Sequence, residues 1–140
     1  MKKVSLKVSC LCGGIKFTTK RNHRDVQNCH CIQCMKTHGH YGAYTNIEEQ
    51  NIKFIKKSTL KWFRSSKRAK RGFCSKCGAS IFFKVIGTKN ISIAAGMLDG
   101  PTKLKTIMNI FTKDKLDYYK INKDVKRFNL YPKKSKVEDY

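Results

Sequence analysis

The chain has 140 residues, seven of them cysteine, and sets 31 Lys and Arg against 9 Asp and Glu for a formal net charge of +22. That length suits one domain with a modest core, expected over residues 1–131 with a frayed tail at 132–140. No apolar run is long enough to cross a bilayer, and Lys7 interrupts the N-terminal apolar stretch short of signal-peptide length, so a cytoplasmic protein is expected. In that reducing compartment an odd count of seven thiols does not read as a disulfide framework, and metal binding is their leading use.

In "KVSLKVSCLC" the residues Val4, Leu6, Val8, Cys10 and Cys12 share one parity, which predicts a strand that buries its apolar side chains and both sulfurs on the same face. A second strand follows in "GIKFTT". The one helical turn falls around "CIQCMKTHG", with Gly39 as its stop. Further strands are expected in "YGAYTNI", "NIKFIKK", "TLKWFRSS", "SIFFKVI" and "NISIAAG", separated by Gly, Asn and Ser–Lys turns. From "TKLKTIMNIF" onward the apolar positions Ile107, Ile110, Phe111, Leu116, Tyr118, Tyr119 and Ile121 fit no period, and the segment reads as irregular. Many short strands make an all-β fold. Phe17, Trp62, Phe63, Phe82 and Phe83 lie in strand-like runs and read as core. His23 and His40 read as loop histidines without a partner.

The cysteines fall in three groups: Cys10-x-Cys12, Cys29-x-Cys31-x-x-Cys34 and Cys74-x-x-Cys77. Short turns of this kind aim two or three sulfurs at one point, as zinc and iron–sulfur centres require. Seven ligands divide as four plus three. Four thiolates close a structural zinc site, whereas three leave a position open to water or substrate. The competing reading is that the triplet borrows His30 or His38 as a fourth ligand and both sites are structural. The densest basic cluster, Lys67, Arg68, Lys70 and Arg71, abuts the third cysteine pair. It reads either as a solvated face or as a surface that steers anions, a phosphate backbone included.

The stretches "SCLCGGIKF", "NCHCIQCMK", "RGFCSKCGASIFF", "AAGMLDGP" and "KINKDVKRF" together resemble the glutathione-dependent formaldehyde-activating enzymes, a domain shared with centromere protein V. The resemblance runs from about Leu6 to Tyr131. It implies an Mss4-like fold of several short, twisted antiparallel sheets around zinc sites. It also implies a structural zinc on Cys10, Cys12, Cys74 and Cys77 and a second, catalytic-type zinc on Cys29, Cys31 and Cys34, two ions per chain with the second held less tightly. The implied chemistry is that of a carbon–sulfur lyase, forming or cleaving adducts of glutathione, or a similar small thiol, with formaldehyde or a related small electrophile. Two positions depart from the family pattern: Asn109 stands where many relatives carry histidine, and Lys126 where a proline is usual. Membership alone does not establish the chemistry. The alternative from another class is a non-catalytic, zinc-stabilised binding module for nucleic acid or an acidic partner. An exchangeable fourth ligand at the triplet separates the two.

Overall fold

The computed structural model describes residues 5–20 and 23–132; the end of the expected tail lies outside them. Its strands are β1 (Leu6–Ser9), β2 (Lys16–Thr19), β3 (Val26–Cys29), β4 (Gly42–Glu48), β5 (Ile52–Lys56), β6 (Leu60–Arg64), β7 (Ala69–Cys74), β8 (Ser80–Val85), β9 (Asn90–Ala94), β10 (Leu98–Asp99), β11 (Thr106–Ile110) and β12 (Lys126–Arg127), with one helix, α1 (Ile32–His38), between β3 and β4. They form a four-stranded sheet in the order β10-β1-β2-β5 and an eight-stranded sheet in the order β12-β11-β3-β4-β9-β8-β7-β6. The all-β expectation holds. Most pairings are antiparallel, but β11 runs parallel to both β3 and β12.

The two faces of the large sheet carry different cores. Val8 and Phe17 from the small sheet, with Ile15 from the β1–β2 connection, pack against Ile47, Ile81, Phe82, Ile91 and Ile93 of the large one. Phe82 stacks between Phe17 and Trp62 at ring-centroid distances of 5.2 and 5.4 Å. The opposite face gathers Cys29, Cys34, Tyr44, Ala94 and Ile110 beneath α1, with Phe83 and Phe111 at its margin. Strand β9 is therefore apolar or small on both sides: Ile91 and Ile93 face the first core, and Ala94 the second. Phe17, Trp62 and Phe82 are core as expected, but Phe63 is 47% exposed.

Three further expectations need correction. Cys10 is buried and Cys12 is exposed, because β1 ends at Ser9 and the chain turns before the second sulfur. The segment after residue 105 contains β11, an internal strand of the large sheet between β12 and β3. The basic cluster is split by β7, whose period-two alternation sends neighbours to opposite faces. Lys70 lies over the Trp62 ring at 4.5 Å, while Arg71 turns inward and is 1% exposed, so it is no part of a solvated patch.

Candidate metal centres and the adjoining cavity

The first and third cysteine pairs meet although 62 residues separate Cys12 from Cys74. Sγ of Cys12 lies 3.6 Å from Sγ of both Cys10 and Cys74, and the ligand atoms of Cys10, Cys12, Cys74 and Cys77 all lie within 4.8 Å of one another. Tetrahedral zinc with Zn–S near 2.3 Å sets its sulfurs about 3.8 Å apart, so the four thiols fit such an ion. Each pair sits on a turn whose backbone N–H groups point at sulfur: Gly14 and Ile15 donate to Cys12 and Cys10, and Cys77 donates to Cys74. Gly13 and Gly78 close these turns at φ near +78°, a conformation that glycine adopts without the Cβ penalty. The site joins the end of β1 to the β7–β8 turn and so ties the two sheets together.

The second group is built by the β3–α1 junction. Cys29 ends β3, Cys31 caps α1 by accepting the Cys34 N–H at 3.3 Å, and Cys34 lies in the first turn. Their three sulfurs also lie within 4.8 Å of one another. The helix stops at Gly39, in the left-handed region, with its N–H on the Met35 carbonyl, as its sequence predicts.

Neither histidine joins the three thiols. His30, though between two of them in sequence, points to the other face of the sheet: Tyr119 O–H donates to its Nδ1 at 2.6 Å, and Nε2–H donates to Oδ1 of Asn109 at 2.9 Å. Asn109 thus holds His30 rather than lining the cysteine side, while its neighbours Ile110 and Phe111 do line it. His38 accepts from the Tyr44 hydroxyl. Among the described residues the group stays at three protein ligands. His23 and His40 do have partners, Thr19 and Tyr118.

Arg71, expected on the surface, is the group's charged neighbour. Its Nε donates to Gln33 Oε1 at 2.6 Å, one terminal nitrogen to the Tyr44 hydroxyl at 2.9 Å and the other to Sγ of Cys34 at 3.5 Å, with the guanidinium 4.8 Å over the Phe83 ring. Since arginine only donates, the Tyr44 proton must go to His38 Nε2. Burial, with Arg71's charge added, holds the His38 imidazole down at about 4, and burial pushes the Tyr44 phenol up. Within the thiol group, hydrogen bonds from Cys29 and Cys34, helped by the Cys34 N–H and Arg71, hold Cys31 far below the ordinary thiol range. The bond to Cys31 and burial push Cys29 up. The buried Arg71 guanidinium stands directly beside this thiol group.

A cavity of about 220 Å³ opens against this group. Besides the three cysteines, its walls include Tyr44, Ala69, Arg71, Phe83, Ile110 and Phe111. Phe111 holds a left-handed backbone (φ 55°), fixed by its N–H on the Leu130 carbonyl and by the Thr112 N–H on that of Phe128. In the sequence Arg71 stands only within a basic run that reads as surface, and Phe111 only within an irregular segment; their places in the cavity wall follow from β7 and β11.

Two sheets stapled by one four-thiol group, with a three-thiol group open to a cavity, define a small β protein equipped for thiolate-bound metal. The chain belongs to the family of glutathione-dependent formaldehyde-activating enzymes, whose family model matches residues 5–114. Its fold is similar to that of a Rhodobacter sphaeroides protein of known crystal structure, with a TM-score of 0.58 and 18% identity over 69% of this chain and 91% of that one. That likeness concerns the fold alone. Among curated proteins none matches. No helix among the described residues is long and apolar enough to cross a membrane.

Proposed function

We propose that this protein joins glutathione, or a similar small thiol, to formaldehyde or a related small electrophile, and reverses the step, as a zinc-dependent carbon–sulfur lyase of the cytoplasm. Cys10, Cys12, Cys74 and Cys77 hold a structural zinc; Cys29, Cys31 and Cys34 hold the second. One observation supports this reading above all: three convergent thiols, with no fourth protein ligand among the described residues, face a cavity, in a chain of this family. Zinc in that place supplies a Lewis acid with a free position, able to keep an incoming thiol deprotonated.

The chain's own residues do the rest. Cys31, half-exposed at the helix cap, marks the side from which a thiol enters. As the sulfur–carbon bond forms, the carbonyl π pair moves to oxygen, which takes a proton, so thiol plus aldehyde balances atom for atom with the hemithioacetal. Arg71 sets a fixed positive charge in the cavity wall where that oxygen gains negative charge, and the cavity holds the electrophile beside the thiol that enters on the Cys31 side. Gln33 and Tyr44 hold the guanidinium in place.

NMR exchange between free and adducted glutathione in the presence of formaldehyde tests the proposal. Wild type speeds the exchange and Cys31→Ser does not; equal rates for the two would overturn it.

A further inference from the structure

We infer that the electrophile taken up in the cysteine-lined cavity carries a hydrocarbon substituent, branched or aromatic, and that formaldehyde itself fills the site poorly. The inference rests on the reading of the site given above and narrows its substrate class.

The first observation is room. One water needs roughly 10–15 Å³ of such space; the cavity offers about 220 Å³. Formaldehyde has two heavy atoms and leaves most of that volume without contacts. An apolar cavity of roughly 150 Å³ is large enough to take benzene.

The second observation is what the walls present. Many lining residues are polar by name, yet their polar atoms bond to one another or to groups behind the wall. Gln33 bonds to Arg71 and to the Ser65 carbonyl; Tyr44 bonds to Arg71 and His38; Arg24 reaches the Tyr44 carbonyl; Ser92 accepts from Asn46; Gln27 accepts from Tyr131. What remains toward the space is mostly carbon, from Phe83, Ile110, Phe111 and Ala69 together with the flat faces of the polar groups. A charged tripeptide thiol does not suit such walls and stays outside, on the Cys31 side. A hydrocarbon group does suit them, because burying it removes apolar surface on both sides from water.

The third observation is the strained Phe111. Its left-handed backbone is a costly conformation for a bulky side chain, and β12-side carbonyls hold it there so that the residue forms part of the cavity wall. A site for a two-atom carbonyl alone has no use for that wall.

The test compares formaldehyde, 3-methylbutanal and phenylacetaldehyde with glutathione and the zinc-loaded protein, each rate divided by its uncatalysed counterpart. At least a tenfold preference for the larger aldehydes is expected. Ala69→Val, which adds two methyl groups to the wall, is expected to cut that preference about fivefold. Equal or better acceleration of formaldehyde overturns the inference. Binding of 3-methylbutanol, which cannot react, is followed in parallel through the methyl resonances of Ala69 and Ile110. Should no aldehyde react, selective shifts of those methyls would uphold the apolar site while the proposed reaction falls. Without such shifts both fall.

Discussion

The guanidinium of Arg71 donates to Sγ of Cys34 at 3.5 Å, from a position 1% exposed and, among the described residues, without a carboxylate hydrogen-bond partner. A buried cation is costly unless charge or hydrogen bonds compensate it. Three thiolates with one divalent ion would sum to a single negative charge, and Arg71 would then render the second site neutral as a whole.

Arg71→Met is therefore expected to weaken zinc at Cys29, Cys31 and Cys34 by about 10–100-fold, the usual effect of removing an outer partner of a metal ligand. It also leaves Gln33 Oε1 without its donor, at about 1–3 kcal/mol of stability. Chelator competition and urea unfolding measure the two effects. Arg71→Lys keeps the charge but not the three-way fork, and is expected to recover zinc affinity only in part.

The two cysteine groups are expected to respond differently to loss of a ligand. Cys74 is fully buried between the sheets, and a structural zinc contributes folding free energy directly, so Cys74→Ser is expected to abolish the folded NMR spectrum. Cys31→Ser is expected to remain folded and to retain one zinc of two. Elemental analysis beside an amide spectrum distinguishes the classes, and equal loss of fold in both counts against the division.

Much of this was legible in the sequence and some was not. The apolar alternation of Leu6, Val8, Ile15 and Phe17 and the spacing of the cysteines carry the first core and the division into four and three thiols, while the pairing of Cys10 and Cys12 with Cys74 and Cys77 comes with the family resemblance. Parity does not predict the exposure of Cys12, because the chain leaves the strand for a turn that the glycines at 13 and 14 begin to form. The basic run "SSKRAKRGFC" gives no sign that Arg71 is buried; only its pairing as β7 between β6 and β8 turns Arg71 under α1. Strand β11 is parallel to its neighbours, with a register irregularity between Thr106 and Met108, and so shows no clean alternation in the sequence.

The first core is expected to depend on Phe82, which is fully buried and stacked on two rings. Phe82→Ala is expected to cost about 3–5 kcal/mol, read as a lower urea midpoint.

Stability is expected to fall on acidification below neutrality. Burial lowers His38, to about 4, and also lowers His23. In the unfolded chain both take up protons near 6.5. The unfolded state then binds more protons than the folded one, so the contribution of these histidines is constant above about pH 6.5 and declines from there toward pH 4. Urea unfolding at pH 7.5, 6 and 5 measures the slope, and His38→Gln, whose amide oxygen can still accept from Tyr44, is expected to make it shallower.

The remaining basic surface is expected to bind polyanions weakly and without sequence preference. Replacing the exposed Lys67 and Arg68 with Gln should reduce the salt slope of DNA binding by up to about one per residue and leave zinc content unchanged. Tight binding that persists at physiological salt and vanishes in this variant would instead favour a nucleic-acid module.

The open fourth position at Cys29, Cys31 and Cys34 is tested most directly by the absorption spectrum of the cobalt-substituted protein titrated with glutathione. The account predicts that the thiolate-to-cobalt band grows by the share of one additional sulfur per chain and saturates, and that Cys31→Ser removes the change. A spectrum unaltered by glutathione, with both ions in place, would contradict it.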